Sequence, residues 1–273
     1  MKADGLIQSN AYSLWLNDLD ANTGSILFGG VDTAQFKGEL ATLPIQQNSG
    51  VYAEFLITLT SLSLGGTVLA DDLAQAVLLD SGSSLTYLPD SIVEDIYTEL
   101  DAQYDSSSGV AYVPCNIENQ NTSLTFSFSG VEITVGMDEL ALDLVTASGK
   151  RPTFQDGTTA CLFGIAPAGD GTNVLGDTFL RSAYVVYDMD NNEISIAQTN
   201  FNATESNVLE ITTGTDAVPS ATAVTDSVAA TAGVVTTSSA GGLGVENAAP
   251  SAGVAGSLLV GAAAFVAGLV VLC

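Results

Sequence analysis

From Tyr12 to about Gln198 the chain alternates short apolar runs with polar or glycine breaks. The runs Ser25–Phe28, Phe55–Leu59 and Leu124–Phe128 are rich in β-branched and aromatic residues, and Gly29-Gly30, Gly65-Gly66, Gly130 and Asp156-Gly157 punctuate them. Runs this short between turn formers predict strands, so the fold class is mostly β. One stretch keeps a different period. Ile92, Val93, Ile96, Tyr97 and Leu100 recur at helical spacing behind Pro89 and Asp90, which predicts one short helix over 90–100. Near the end of the β-rich part, Asn173-Val174-Leu175-Gly176 reads as a strand, Asp177–Arg181 as a short helix, and Ala183–Ala197 as a hairpin turning at Asp190–Asn192.

Beyond Asn202 the pattern dissolves. Ser, Thr, Ala, Gly and Val dominate with few aromatics, a composition too poor in bulky apolar groups to build a core, and 201–247 reads as a disordered stalk. The chain then closes on an uncharged apolar run, Leu258–Cys273, short for a membrane span and without a following basic stop signal. Small residues at Asn247-Ala248-Ala249, a spacer over 250–257 and an apolar terminal tail form the pattern of a glycosylphosphatidylinositol (GPI) attachment signal, with Asn247 as the attachment residue and 248–273 as the signal. Ser239, Ala240 and Gly241 offer a second attachment triplet with a longer spacer, and a buried helix or tail anchor is the alternative to the signal as a whole. Such a signal acts only in the secretory pathway, yet Met1–Gly5 carries no apolar run of leader length. The expectation is therefore a longer chain of which this is the C-terminal part. In a secreted setting Asn121-Thr122-Ser123 and Asn202-Ala203-Thr204 become N-glycosylation acceptors.

Charge and composition remove whole classes of chemistry. Five Lys and Arg stand against 31 Asp and Glu, a formal net charge of −26, so no basic surface exists for nucleic acid. Histidine is absent, which excludes Ser-His-Asp and Cys-His catalysis and removes the commonest zinc ligand. No metal or cofactor is expected, and acid–base chemistry falls to carboxyl groups. Of three cysteines, Cys115 and Cys161 either close one loop in an oxidising compartment or remain two buried thiols.

The candidate chemistry lies at Ala76-Val77-Leu78-Leu79-Asp80-Ser81-Gly82-Ser83-Ser84. An apolar strand runs into a carboxylate and then into a turn of hydroxyls. A carboxylate at the end of a buried strand is costly unless it is hydrogen-bonded. On its own, Asp-Ser-Gly is an ordinary turn. Together with Val174-Leu175-Gly176-Asp177, Tyr184–Asp188 and Ile196-Ala197-Gln198, it resembles the C-terminal lobe of the bilobal pepsin-like aspartic proteases. Gly24–Asp32 resembles the family's segment near the lobe junction, and the stalk and tail resemble the GPI-anchored, yapsin-type fungal members. The resemblance covers about Gly5 to Gln198, so 1–200 is expected to form the C-terminal lobe plus the end of the N-terminal one.

This resemblance implies an endopeptidase in which Asp80 is one of two catalytic aspartates activating a water. Ser81, Gly82 and Ser83 are then its turn and substrate-binding residues, Cys115–Cys161 a disulfide, and peptides or proteins the substrates. It further implies an extracellular location at the plasma membrane or wall, and cleavage near basic residues. Asp4-Gly5 and Asp156-Gly157 lack the intervening hydroxyl residue and the apolar strand, so the family's first aspartate is not assigned within this chain, and the lobe alone is expected to be inactive and prone to aggregate. Two other readings stay open: an inactive cell-surface or wall protein built on the lobe, and a homodimer in which each copy supplies Asp80.

Overall fold

Alternate residues of Gln75–Leu79 cannot be split into a wet and a dry face: Ala76, Val77 and Leu79 are all buried. A strand apolar on both sides must lie inside, with layers above and below, and the fold is built around it. The computed structural model describes residues 1–146 and 148–233, and of the tail only the backbone of 269–271.

The chain opens with β1 (Ala11–Trp15), β2 (Ser25–Phe28), β3 (Gly30–Asp32) and β4 (Phe36–Pro44). Next come β5 (Leu56–Leu59), β6 (Ser61–Leu64), β7 (Thr67–Ala70), β8 (Gln75–Leu79) and β9 (Thr86–Leu88). Helix α1 (Asp90–Glu99) separates these from β10 (Gln103–Asp105), β11 (Val110–Pro114), β12 (Ser123–Phe128) and β13 (Val131–Gly136). After α2 (Met137–Leu140) come β14 (Ala141–Leu142), β15 (Leu144–Thr146), β16 (Ala160–Phe163), β17 (Ile165–Pro167) and β18 (Val174–Leu175). Helix α3 (Asp177–Leu180), β19 (Ala183–Asp188) and β20 (Glu193–Thr199) complete the β-rich part, followed by β21 (Val208–Glu210) and β22 (Ala221–Ala223). The last strand, β23 (Leu269–Val271), pairs with β15.

The mostly β fold is as the sequence pattern predicts, and so is α1, which buries Ile92, Val93, Ile96 and Tyr97. A six-stranded sheet in the order β2-β1-β19-β20-β4-β22 forms one layer. A five-stranded mixed sheet, β17-β9-β18-β8-β5, carries β8 in its interior. The sheet β13-β12-β6-β7 packs between them, and Phe126 and Phe128 of β12 meet Phe179 of α3 edge-on at 5.0 and 5.8 Å between centroids. These T-shaped contacts fix α3, and through it the end of β18.

Cys115 and Cys161 form a disulfide between the end of β11 and β16, with Cα atoms 5.0 Å apart, so the two-thiol alternative falls. Asn121 and Asn202 are both exposed.

The stalk boundary needs correction. Residues 201–233 lie along the lobe in place of hanging free. Buried Asp32 accepts from Asn207 N and Ser206 Oγ, both at 2.7 Å; β21 pairs with β3, and β22 runs parallel to β4. Ile211, Ala217 and Val218 are buried against Trp15, Val31, Leu40 and Tyr184. Composition misses this because three well-placed apolar side chains and borrowed sheet edges hold a segment that has no core of its own. The rest of the predicted stalk, Asn247 and most of the apolar tail lie outside the described residues. Among the described residues no helix is long and apolar enough to cross a membrane.

The disulfide closes a loop of 46 residues. Removing it by paired Cys115→Ser and Cys161→Ser substitution is expected to cost about 4 kcal/mol of stability through the freed unfolded chain. Denaturant midpoints of wild type and variant, the former with and without reductant, read this directly.

Candidate active site

Strand β8 delivers Asp80 to the rim of the five-stranded sheet, where the chain turns through Ser81 and Gly82. The carboxylate is held from both sides. Gly82 N donates to Oδ1 at 2.9 Å, and Ser83 Oγ donates to Oδ2 at 2.7 Å. Asp80 N itself donates to Leu175 O at 3.1 Å, which ties the residue to β18 alongside. Asp80 is part-exposed and Ser81 and Gly82 are exposed, so the carboxylate has fixed partners on its protein side and an open face beyond.

Gly176 makes this geometry possible. The segment Ser83–Leu85 crosses directly over the end of β18, and a Cβ on Gly176 would lie 2.2 Å from Leu85 O and 2.3 Å from Ser83 O. Only glycine permits that approach. The crossing is bonded as well as close: Asp177 N donates to Ser83 O at 2.8 Å and Thr178 N to Ser84 O at 3.3 Å. Beneath it, the buried Thr178 hydroxyl donates to Gly164 O at 2.8 Å and sits 3.1 Å from Thr86 Oγ1. The sequence places Asp80, Ser81, Gly82 and Ser83 in one turn, and the structure brings all four together with Gly176.

Two groups flank the turn. Half-buried Asp177 is raised above the ordinary carboxyl range, chiefly by burial and also by the Asp80 charge, with Arg181 pulling the other way. Tyr187 is buried in an aromatic cluster, stacked on Tyr12 at 4.7 Å and edge-on to Phe55 at 4.7 Å. Burial pushes its phenol far up, and the nearby Tyr12 and Asp80 push it further, so it is a neutral group throughout the working range. Neither role could be read from the sequence, because each depends on a neighbour more than 90 residues away.

A second polar cluster went unsignalled. Glu139 of α2 is 2% exposed, accepts from Leu19 N at 3.2 Å, and faces Arg181 at 4.0 Å. Its Oε2 and Arg181 Nη1 have no hydrogen-bond partner. Burial pushes Glu139 up to about 7 against the smaller opposing pulls of Leu19 N and Arg181, and Asp18 and Asp138 add to the rise. Cys115, Asp143 and Cys161 are the one cluster of ligand-type side chains close enough for a metal among the described residues, and their two sulfurs are spent in the disulfide.

The eukaryotic aspartyl protease family model matches residues 1–199, nearly three quarters of the chain. The chain belongs to the eukaryotic aspartyl protease family. It is 62% identical over 234 residues to the probable aspartic-type endopeptidase opsB of Aspergillus oryzae, with 84% of this chain and 47% of that protein covered. The Aspergillus fumigatus protein of the same description is 56% identical over 273 residues, covering 96% of this chain and 55% of that one. Aspartic proteinase yapsin-3 of Saccharomyces cerevisiae is 36% identical over 217 residues, covering 76% and 40%. The chain thus spans about half the length of the curated relatives it matches. The pepsin-like resemblance drawn from the Asp80 and Gly176 segments is confirmed at the level of family and fold.

Glu139 gives this aspartyl protease lobe a measurable pH response. Between a carboxyl's ordinary 4.5 and about 7, the folded lobe keeps a proton that the unfolded chain has released. Stability therefore falls as pH rises through that window, by an amount on the order of 3 kcal/mol. Urea midpoints at the two ends of the window should differ less in Glu139→Gln than in wild type. An equal difference in both would assign the titration elsewhere.

Proposed function

We propose that this chain is the catalytic C-terminal lobe of an aspartic endopeptidase, with Asp80 as one of two aspartates that activate a water. The observation that carries the reading is the Asp80 carboxylate itself, clamped by Gly82 N and Ser83 Oγ and left open on one side. A carboxylate so fixed cannot rotate away from a bound water or a peptide carbonyl. Peptide hydrolysis needs a base for the water and an acid for the carbonyl oxygen. Two adjacent carboxylates holding one proton supply both. The water oxygen attacks the carbonyl carbon, its proton passes to the ionised carboxylate, and the C–N bond breaks as the nitrogen is protonated. Ser81, Gly82 and Ser83, at the rim, line the path of the substrate backbone.

The second aspartate belongs, in this reading, to an N-terminal lobe. Two observations support it. The matched relatives are about twice as long as the stretch they share with this chain. The outer strand of the six-stranded sheet, β2, also leaves Ile26 and Phe28 more than half exposed, an apolar edge suited to a covering lobe. The strong negative charge suits an acidic medium, where protonation relieves self-repulsion, and favours substrates with Lys or Arg near the scissile bond. We further propose GPI attachment at Asn247, glycans on Asn121 and Asn202, and residence on the outer face of the plasma membrane or in the wall. The supports are the small-residue triplet with its apolar tail, the exposure of both acceptor asparagines, and the disulfide.

The test is expression of the full-length protein in a fungal host, with cleavage of a peptide library at acid pH as the readout. Asp80→Asn should abolish cleavage while leaving the thermal midpoint within a few degrees. Residual activity above about one per cent in the variant would remove Asp80 from the mechanism. In the same library, equal cleavage with and without Lys or Arg would remove the basic preference. Release of the protein from cells by a phosphatidylinositol-specific phospholipase checks the anchor.

A further inference from the structure

The segment after β20 behaves as part of the lobe along its whole described length, and its far end reaches the strands that carry the catalytic turn. It is pinned first at Asp32 by Ser206 and Asn207. Strand β22 then extends the six-stranded sheet beyond β4, and Val224 N donates to Thr42 O at 3.0 Å. Further along, Val228 N donates to Ser129 Oγ and Ala230 N to Gln46 Oε1, each at 2.9 Å. Finally Thr231 N and Ala232 N both donate to Ala74 O, at 2.9 and 3.1 Å, and Ala76 N donates to Ala232 O at 2.8 Å. The last described residue, Gly233, sits at φ +80°, and a Cβ there would lie 2.2 Å from Gln75 Nε2, 2.6 Å from Ala76 O and 2.8 Å from Asn173 Nδ2.

The residues touched at that end are the roots of the two strands that set Asp80. Asn173, which is buried, donates through Nδ2 to Ala76 O at 3.2 Å, and Leu78 N donates to Asn173 O at 2.9 Å. Two residues on, Asp80 N bonds to Leu175 O and β18 ends at Gly176. The corner formed by Gln75, Ala76 and Asn173 is closed on its outer side by Ala232 and Gly233, and β8 runs from it straight to Asp80.

We propose that residues 206–233 are a brace whose terminal pair, Ala232 and Gly233, positions the Asp80 turn by clamping the roots of β8 and β18. Gly233 is a positioning residue in this scheme, acting through β8, about five strand residues or roughly 16 Å from the carboxylate. The described part of the brace ends at the foot of β8, at the opposite end of that strand from the catalytic turn. The catalytic part of the inference rests on the proteolytic reading above; the clamping of β8 does not.

Hydrogen exchange of the full-length protein tests the clamp, with Gly233→Val and Ala232→Pro as variants. The first forces bulk against Ala76 O and Asn173, and the second deletes the N–H that Ala232 donates to Ala74 and fixes the backbone at 231–232. In both, the peptide covering 75–82 should exchange about tenfold faster than in wild type while peptides of β12 and β19 stay unchanged. Peptide cleavage should show kcat down about tenfold with KM within about twofold, because the carboxylate is misplaced and not the substrate. Unchanged exchange over 75–82 in both variants overturns the proposal. Faster exchange with unchanged kcat also overturns it, leaving only a structural strap. If the wild type cleaves nothing but exchange over 75–82 responds, the clamp stands and the proteolytic reading is what fails.

Discussion

Everything in this lobe is arranged around one close approach, the passage of Ser83–Leu85 over the backbone of Gly176. Two strands from distant parts of the chain, β8 and β18, lie parallel, and the turn that follows one is laid across the end of the other. The contact is between backbones, so no side chain can substitute for it and none can intrude. It makes Asp80 rigid at small cost, since the carboxylate hangs on a turn whose own carbonyls are occupied by Asp177 N and Thr178 N. The T-shaped contacts of Phe179 with Phe126 and Phe128 carry that rigidity into the core.

The local half of this architecture was legible in the sequence. The apolar run before Asp80, the hydroxyl-bearing turn, the helical period of 90–100 and the hairpin at 190–192 each depend on near neighbours, and each appears where the pattern puts it. The non-local half was not. Buried Glu139 facing Arg181, the neutral Tyr187 beside Asp80, and Asn173 at the root of β8 are made by residues far apart in sequence, and ordinary composition surrounds each of them. The most instructive difference is 201–233. Its low hydrophobicity is that of an unfolded linker, yet edge pairing and three buried side chains suffice when a finished sheet is already present to receive them.

Electrostatics give the lobe an acid bias at more than one level. Glu139, Asp177 and Glu193 are all raised mainly by burial, so each favours the folded state while it is protonated. The net charge of −26 acts in the same direction over a longer range. A chain without histidine has no side chain that ordinarily titrates near neutrality, and burial supplies one in Glu139. The response to pH is therefore placed in the scaffold, at α2 and the loop carrying Leu19.

The strap has a mechanical consequence. A load applied at the C-terminal side of Gly233 meets the bonds to Ala74 and Ala76 first, then those to Gln46, Ser129 and Thr42, then the pairing of β22 with β4 and of β21 with β3, and last the Asp32 anchors of Ser206 and Asn207. Bonds met in sequence break in sequence, so the lobe would yield by peeling, at the low force of single bridges, and not by shear of whole strands. The first bridges to open are the ones on β8, so a strained tail would loosen the strand that carries Asp80 while the disulfide and the aromatic core were still untouched.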